Sequence, residues 1–383
     1  MKRWMAAAYL PRVRPDLWLL SALVVIAALG LVMVGSSSVA VADRLSGEPM
    51  YFFYRQAVYA LIGLVVGFIV LHIPMRMLAA NTFTMLAVGL GLLLVVLLPG
   101  LGHSVNGAQR WLNLGPLALQ ASEPARLCLV LYIAGYASRR QYELATSWAG
   151  LFRPMVFLVI ACFLMLLEPD FGASAILVAV AGIILFLAGA RLRYLFVIGG
   201  GGALALTMMV LSSPYRMQRL ISFSDPWAHP FASGFQLTQS LIAIGRGHVT
   251  GVGLGNSVQK LSYLPETHTD FLFAIYAEEF GLIGSLALIV LFSIVVWRGF
   301  AIARRAVDAG HMFSGFLAYG LSAWVVLQAF INIAVNMGLL PTKGLTLPLM
   351  SYGGSSLVMM CALCALLLRV DLESTQALRE ARS

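Results

Sequence analysis

The sequence predicts an all-α, polytopic integral membrane protein with ten transmembrane helices and a large extracytoplasmic loop between helices 7 and 8. Of the 383 residues, 60% are hydrophobic and only 11% are charged, whereas soluble proteins carry about 25% charged residues. A helix needs about 20 apolar residues to span the hydrocarbon, and apolar runs of about this length recur throughout the chain. Residues 1–383 are therefore expected to form a single transmembrane domain.

The apolar runs locate the ten helices along the chain. Several runs are short, and these helices are expected to be buried in the bundle or to begin below the membrane surface. The ten predicted segments are 17–41, 57–72, 79–98, 122–137, 154–167, 173–190, 195–211, 271–296, 313–340 and 345–368.

The positions of the basic residues predict the orientation. Cytoplasmic loops are enriched in Lys and Arg. If both termini, residues 1–16 and 369–383, are cytoplasmic, most of the 25 Lys and Arg residues lie on the inner side. The same orientation makes the segment 212–270 a large periplasmic loop and places the other polar interruptions on the outer face. We therefore expect a multi-pass membrane protein with extracytoplasmic chemistry.

The net charge of +9 fits this orientation together with the handling of an anion. No pattern of basic and aromatic residues indicates nucleic acid binding. The glycine-rich stretch Gly251-Val252-Gly253-Leu254-Gly255-Asn256 lacks both the third glycine and the βαβ context of a dinucleotide loop. Motifs of ATP-driven pumps and of serine or zinc hydrolases are also missing, so we expect no nucleotide.

The strongest candidate for catalysis is Asp270, which follows Glu266 and His268 at the end of the long loop. Ionisable groups at the mouth of a membrane helix are costly, and they are commonly functional. A carboxylate in a partly dry site can act as a general base. The alternative is a helix N-cap, for which Asp is a preferred residue. The two roles are compatible.

A second candidate lies at the start of the fourth helix, where Glu123 and Arg126 are three residues apart and can form an ion pair. One interpretation is a purely structural pair. The other is a contact with pyrophosphate or sugar, because a helix N-terminus that points into a cavity favours anions.

Other polar residues have a structural interpretation. Glu278 and Glu279 lie too far along the eighth helix to join Asp270 on a straight helix, so we expect interhelical pairing or cavity lining. Gln328, Asn332 and Asn336 share one face of the ninth helix, and we expect them to form interhelical hydrogen bonds. Residues 235–244 have the spacing of an amphipathic helix.

Several sequence blocks resemble one family, known as SEDS for shape, elongation, division and sporulation. The blocks span nearly the whole chain in the order found in the family, and the stretch 253–266 resembles the cell-division branch more than the elongation branch. Arg126 stands where the family commonly has lysine, and Glu168 where glutamine is common. The blocks are NGAQRWL at 106–112, QASEPARL at 120–127, EPDFG at 168–172, LPETHTDFLFAIYAEEFGLIG at 264–284 and LPTKGLTLPLMSYGGSS at 340–356.

The resemblance implies a glycosyltransferase that polymerises lipid II into β-1,4 peptidoglycan strands at the division septum. Asp270 would act as the general base and undecaprenyl pyrophosphate would leave. Glu266, His268, Ser351 and Tyr352 would surround and support this site. The residues expected to hold the substrate and its pyrophosphate are Glu123, Arg126, Arg110, Arg216, Arg219, Arg246, Lys260 and Lys343.

The resemblance also implies partners and leaves open a metal requirement. The expected partners are lipid II, the nascent glycan strand, a class B penicillin-binding protein (FtsI) and the divisome proteins FtsQ, FtsL and FtsB. A divalent cation, Mg²⁺ or Mn²⁺, is a candidate companion of the pyrophosphate, but the sequence assigns it no ligands.

Two other functions remain open from the residues. A lipid II flippase would need polar groups through the full depth of the membrane, whereas here they concentrate on the outer face. A non-enzymatic divisome scaffold would leave Asp270, Glu123 and Arg126 without a role.

Overall fold

The computed structural model describes residues 13–105, 108–115, 117–211, 223, 225–228, 230–231, 234–261, 263–341 and 344–381. Most of these residues are helical. The helices are α1 Leu17–Ser46, α2 Tyr51–Leu71, α3 Met75–Ala80, α4 Thr82–Leu97, α5 Ser122–Arg139, α6 Gln141–Thr146, α7 Trp148–Leu167, α8 Phe171–Leu187, α9 Leu192–Leu211, α10 Phe235–Arg246, α11 Leu272–Asp308, α12 Met312–Asn336 and α13 Gly354–Glu380.

Each of the ten predicted segments overlaps one of these helices. Within the described residues, six helices are long and apolar enough to cross a membrane, namely α1, α2, α7, α11, α12 and α13, and α4 and α8 are shorter apolar helices. The chain is thus a mostly helical, multi-pass membrane protein. The count of ten spans stays a prediction.

The expectation of an all-α fold is wrong for residues 102–120, which form a three-stranded antiparallel sheet. Its strands are β1 Gly102–Val105, β2 Ala108–Leu114 and β3 Leu117–Gln120, in the order β1-β2-β3. The backbone N–H of Ala121 continues the ladder by donating to the carbonyl of Arg110. Strand pairing satisfies backbone N–H and C=O groups that an irregular loop would leave unpaired. The pairing also places Arg110 next to the start of α5.

The last predicted helix begins later than expected, at Gly354 rather than at residue 345. The intervening residues are apolar and buried, but Pro348 lacks the backbone N–H that a helix needs. Side chains satisfy this segment instead: Gln328 donates to the carbonyl of Thr346 and Asn332 to that of Leu345. Helix α13 then continues to Glu380, so residues 369–380 belong to a helix and do not form a separate tail.

Helix α11 also departs from the prediction, because it is broken at Gly281. That residue has φ 66° and ψ −161°, a backbone conformation available essentially to glycine alone. The preceding loop closes the break. The backbone N–H groups of Val252 and Gly253 donate to the carbonyls of Glu278 and Glu279, each at 3.0 Å. The helix continues to Asp308, beyond the predicted end at residue 296.

At the opposite end of the bundle, an ionic cluster joins three helices. The side chain of Asp16 caps α1 by accepting from the N–H of Leu19 at 3.1 Å, and it also pairs with Arg298 and Arg305. Arg305 in turn lies 2.9 Å from Asp371 on α13. The largest helix packing interfaces are α11 with α12, α2 with α13, and α4 with α5.

Candidate active site

Asp270 occupies a tight turn before α11. Helix α11 begins at Leu272 and Phe271 stands at its cap position without a side-chain bond, so the alternative interpretation of Asp270 as the N-cap is wrong. The carbonyl of Asp270 instead accepts hydrogen bonds from Asn332 and Asn336 at 2.9 and 3.0 Å. These bonds from α12 fix the backbone that carries the carboxylate. The predicted interhelical bonding is confirmed for Asn336, which accepts from the N–H of Ala274 on α11 at 3.2 Å. Gln328 and Asn332 instead donate to carbonyls outside the helices.

The turn is also held from its other side. Thr267 donates to the carbonyl of Ser37 on α1 at 3.1 Å, and the N–H of Tyr352 donates to the carbonyl of His268 at 2.8 Å. The His268 ring packs between Phe52 and Tyr352, with centroid distances of 4.5 and 5.5 Å. His268 is therefore a buried support of the turn.

The carboxylate of Asp270 projects into a cavity of about 750 Å³. No described residue donates a hydrogen bond to it. Gly344 lies so close that a Cβ there would stand 3.1 Å from Oδ2. Burial, followed by the neighbouring carboxylate of Glu266, raises the pKa of Asp270 to about 7, and Arg110 opposes this rise. A carboxylate poised near neutral pH suits general-base chemistry.

Arg126 lines the same cavity with unused hydrogen-bonding capacity. Its side chain is 2% exposed, and Nη2 lies 2.5 Å from Glu123 Oε1. Its guanidinium carbon lies 4.7 Å from the ring centroid of Trp324. Neither Nε nor Nη1 of Arg126 finds a partner among the described residues, and the same is true of Glu123 Oε2. Buried donors without partners are costly, and an anionic ligand would satisfy them.

Arg110 reaches the cavity from β2. Its Nε donates to the carbonyl of Glu168 at 2.6 Å and its Nη2 to that of Pro169 at 2.8 Å. Nearby, Asp170 accepts from Gln120 and Ser122 and thereby joins β3 and the start of α5 to the start of α8. The sheet is thus anchored where it forms one wall of the cavity.

Glu168 was not singled out as a site residue, yet it is the most unusual acid in this region. It is fully buried, and both of its carboxylate oxygens are without a hydrogen bond among the described residues. Burial, with a smaller effect of the nearby Asp170, raises the pKa of Glu168 to about 8. The side chain is therefore mainly protonated at neutral pH.

The cavity brings together several of the predicted site residues, namely Asp270, Glu266, Tyr352, Arg110, Glu123 and Arg126. Sequence reasoning missed Arg55, Gln120, Asp170 and Gln328, which also line it. Arg55 donates to the hydroxyl of Tyr51 at 2.7 Å. Its position in an otherwise apolar helix was the available signal.

Two predicted pyrophosphate contacts lie elsewhere. Arg246 pairs with Glu278 at 3.2 Å and Lys260 with Glu279 at 2.8 Å. Together these four residues form what we call the paired cluster, and it lines no part of the cavity described above. The predicted pairing role of the two glutamates is confirmed.

Four predicted site residues remain, and none of them is among the described residues that line the cavity. Ser351 is buried outside the cavity wall, where its hydroxyl accepts from the N–H of Leu347 at 2.9 Å. Arg216, Arg219 and Lys343 lie outside the residues that the structure describes. Among the described residues, no group of three or more His, Cys, Asp or Glu side chains could hold a metal ion.

Comparisons with known proteins agree on one family. The family described as "Cell cycle protein", with the model FTSW_RODA_SPOVE, matches residues 17–376. A protein of Nitrosococcus halophilus named "Probable peptidoglycan glycosyltransferase FtsW" is 55% identical over 361 residues, covering 94% of this chain and 93% of the relative. A protein of the same name from Legionella pneumophila is 48% identical, covering 94% of this chain and 91% of the relative.

Solved structures resemble the whole chain as well. One chain, from work on the structural coordination of polymerization and crosslinking by a peptidoglycan synthase complex, has a TM-score of 0.78 at 29% identity, covering 94% of this chain and 99% of that one. The rod shape determining protein RodA of Thermus thermophilus has a TM-score of 0.70 at 28% identity, with coverage of 94% and 97%.

Proposed function

The chain belongs to the FtsW/RodA/SpoVE family of cell cycle proteins, and we propose on this premise that it is a peptidoglycan glycosyltransferase of the FtsW type. Its substrate is lipid II and its product is a β-1,4 glycan strand made at the division septum. The observation that carries the proposal is a shared cavity in which the carboxylate of Asp270 and two guanidinium nitrogens of Arg126 have no hydrogen-bond partner among the described residues.

The reaction requires a base. The carboxylate of Asp270 takes the proton from the 4-hydroxyl of the acceptor's N-acetylglucosamine. The oxygen attacks the anomeric carbon of the lipid-linked donor strand, and the bond from that carbon to the pyrophosphate oxygen breaks. The linkage inverts from α to β, and the proton remains on Asp270 until it passes to solvent. A pKa of about 7 leaves much of Asp270 ionised at neutral pH, so that it can accept this proton.

The leaving group requires positive charge. Undecaprenyl pyrophosphate departs with its negative charge, and fixed donors aimed at that charge are worth most where water is excluded. Arg126 supplies two donor nitrogens that have no partner among the described residues, and Arg110 lies on the neighbouring wall. Glu123 holds one edge of the Arg126 guanidinium, so the other edge faces the ligand. We propose these residues as the pyrophosphate contacts and leave Arg246 and Lys260 out.

A resident metal does not fit the described residues, because they contain no set of three suitable ligands. Mg²⁺ is nevertheless often held by one or two carboxylates together with substrate phosphates. A divalent cation that arrives with the pyrophosphate therefore stays a proposal. It is tested by comparing turnover after chelation with turnover after Mg²⁺ or Mn²⁺ is restored.

The proposed setting is a division complex. The structural relative from a peptidoglycan synthase complex supports a class B penicillin-binding protein as partner, and for a chain of the FtsW type this is FtsI. FtsQ, FtsL and FtsB are the proposed activators. The proposed topology places both termini in the cytoplasm and the Asp270 cavity on the outer side of the inner membrane.

The test uses the full chain with its class B partner in proteoliposomes that contain lipid II. We expect polymer from the wild type, and from Asp270→Asn a loss of about 10²–10⁴-fold, the usual contribution of general-base catalysis. Partner binding by the mutant should be unchanged, as measured by co-purification.

Glu266→Gln is the matched control, since it removes an exposed carboxylate four residues away. This variant should retain polymerisation. Normal glycan synthesis by Asp270→Asn would remove Asp270 as the base. Transbilayer movement of lipid II without any polymer from the wild type would instead favour the flippase.

A further inference from the structure

A second cavity, of about 700 Å³, lies between α1, the start of α2 and the loop before Asp270. It shares no lining residue with the Asp270 cavity. We call it the α1–α2 pocket. Its lining residues are Val32, Gly35, Ser36, Val39, Ala40, Met50, Phe53, Leu254, Gly255, Lys260 and Leu261.

The walls of the α1–α2 pocket belong to helices that are suited to a membrane. Helix α1 has 30 residues and α2 has 21, with mean hydropathies of 2.7 and 1.8. Val39 is 40% exposed and Met50 is 39% exposed, and Leu254 and Leu261 on the loop are more than half exposed. Apolar side chains that stay exposed on a membrane helix face lipid. The pocket therefore opens toward the bilayer.

The pocket has one polar end. The ammonium of Lys260 donates to the Ser36 hydroxyl at 2.9 Å and to Glu279 at 2.8 Å. A lysine ammonium carries three N–H donors, so one donor remains after these two contacts with described residues. The Lys260 side chain is 10% exposed and lines the pocket. An apolar chamber with one cationic donor at its end suits an amphiphile with an oxygen-bearing headgroup.

The volume of the α1–α2 pocket limits which molecules can occupy it. Pockets of about 300–1,000 Å³ hold a single ligand of modest size, which matches one acyl chain but not the far longer isoprenoid of the carrier lipid. A partner's transmembrane helix is the alternative occupant, which addition of the class B partner tests. A bilayer phospholipid can leave its second chain outside.

We propose that the α1–α2 pocket binds a phospholipid from the leaflet on the side of the Asp270 cavity, with one acyl chain between α1 and α2 and a headgroup oxygen accepting from Lys260. The inference rests on the pocket alone and stands apart from the proposed glycosyltransferase activity. It also gives Lys260 a role that the Asp270 cavity does not provide.

The site places a lipid headgroup next to the segment that carries the catalytic carboxylate. Glu279 pairs with Lys260 and lies nine residues after Asp270, before the break at Gly281. Thr267 also bonds the backbone of α1 at Ser37, directly beside Ser36 of the pocket. The occupant therefore contacts α1 and Lys260, each of which bonds the segment that holds Asp270.

The experiment uses the full chain in nanodiscs of phosphatidylethanolamine and phosphatidylglycerol. A trace of phosphatidylethanolamine with a diazirine on one acyl chain, close to its ester carbonyl, is the probe. After illumination, mass spectrometry of peptides locates the adducts. We expect them on residues 32–40 and 254–261. Val39→Trp, which fills the pocket, should reduce these adducts ~10-fold, equivalent to about 1.4 kcal/mol of binding free energy.

Val25→Trp is the matched control on the same helix, because Val25 is 42% exposed and lines no part of the pocket. It should leave the adducts unchanged. Leu261→Trp fills the pocket from the loop side and should repeat the loss, so the test survives if Val39→Trp fails to fold.

Three outcomes would overturn the proposal. Adducts of equal yield in the filled and control variants would reduce the pocket to ordinary lipid contact. Displacement of the probe by undecaprenyl phosphate, but not by excess phospholipid, would assign the pocket to the carrier lipid. Loss of the probe adducts when the class B partner is added would assign it to a protein.

Discussion

Two groups of charged residues, the paired cluster and the wall of the Asp270 cavity, differ in how their hydrogen bonds are satisfied. In the paired cluster, Glu278 accepts from Arg246, from the Ser257 hydroxyl and from the backbone N–H of Val258. In the Asp270 cavity, the carboxylate of Asp270 receives no hydrogen bond from a described residue, and Arg126 has two unused donors.

This difference indicates that the paired cluster stabilises the fold, whereas the Asp270 cavity is built to bind a ligand. A buried polar group without a partner costs about 1–3 kcal/mol, and more when it is charged. The fold meets this cost for Glu278 and Glu279 by surrounding them with donors. It leaves the cost unmet in the cavity, where a ligand's phosphates and hydroxyls can supply the missing partners. Charged groups in the interior thus carry different meanings in the two places.

Substitution of Arg126 tests this difference most directly, because a large loss of turnover is expected there. We expect Arg126→Ala to lower lipid II turnover by about 10²–10³-fold, the usual effect of removing one donor that stabilises developing charge. Arg126→Lys should recover part of the loss, because it restores the charge without the planar fork. Steady-state kinetics with purified lipid II measure both. Kinetics of Arg126→Ala equal to those of the wild type would remove Arg126 from the site.

Substitution in the paired cluster should lower the stability of the fold and leave the pH dependence of turnover unchanged. Glu279→Gln keeps the shape but weakens the bond to Lys260, and we expect a loss of about 1–3 kcal/mol in unfolding free energy. The dependence of turnover on pH should be unchanged, because Glu279 lies outside the cavity. Thermal unfolding in nanodiscs and a pH profile together distinguish the outcomes. A shifted profile with intact stability would give the cluster a direct role in the chemistry.

Glu168 is a further buried acid whose carboxyl group has no hydrogen bond among the described residues, and its protonation should affect stability. Burial raises its pKa from 4.5 to about 8, so the favourable effect of the neutral acid on folding is lost as pH rises between these values. Glu168→Gln mimics the neutral acid. Its melting temperature should equal that of the wild type near pH 5 and exceed it near pH 8. A lower melting temperature at pH 8 would show that the charged form is the native one.

The smallest expected effect is a shift in the pH dependence of turnover. Turnover requires ionised Asp270, so it should rise with pH through about 7. Glu266→Gln removes a negative charge that favours the protonated form, and the midpoint should shift to lower pH. Arg110→Gln should shift it to higher pH. Opposite shifts in these two variants would place the titration on a group other than Asp270.

The sequence predicted the central pair of features because each depends on local chemistry. Asp270 was expected from a cluster of ionisable residues at the mouth of a helix, and Glu123 with Arg126 from their spacing. The sequence could not separate Arg126 from Lys260, because both are basic residues on the predicted outer face. Only the fold shows that Lys260 already has a carboxylate partner.

The missed structural features have specific causes. The sheet at 102–120 was hidden by the search for apolar runs, although Asn106-Gly107 is a common hairpin dipeptide. The late start of α13 depends on Gln328 and Asn332, which satisfy the backbone from another helix. The break in α11 lies within a continuous run of helix-compatible residues, and a single glycine there carries no distinct signal.

That break has a mechanical consequence. Beyond Gly281, residues 282–308 form a rod about 40 Å long at 1.5 Å per residue, enough to cross a bilayer alone. At the break, the N–H groups of Leu282 and Ile283 bond His248 and Val249 of the loop in place of the preceding helical turn. Bending or twisting of the rod therefore cannot pass along continuous helical hydrogen bonds to the short segment that follows Asp270. It reaches that segment through the loop that bridges the break and through α12, which packs on α11 and bonds the carbonyl of Asp270.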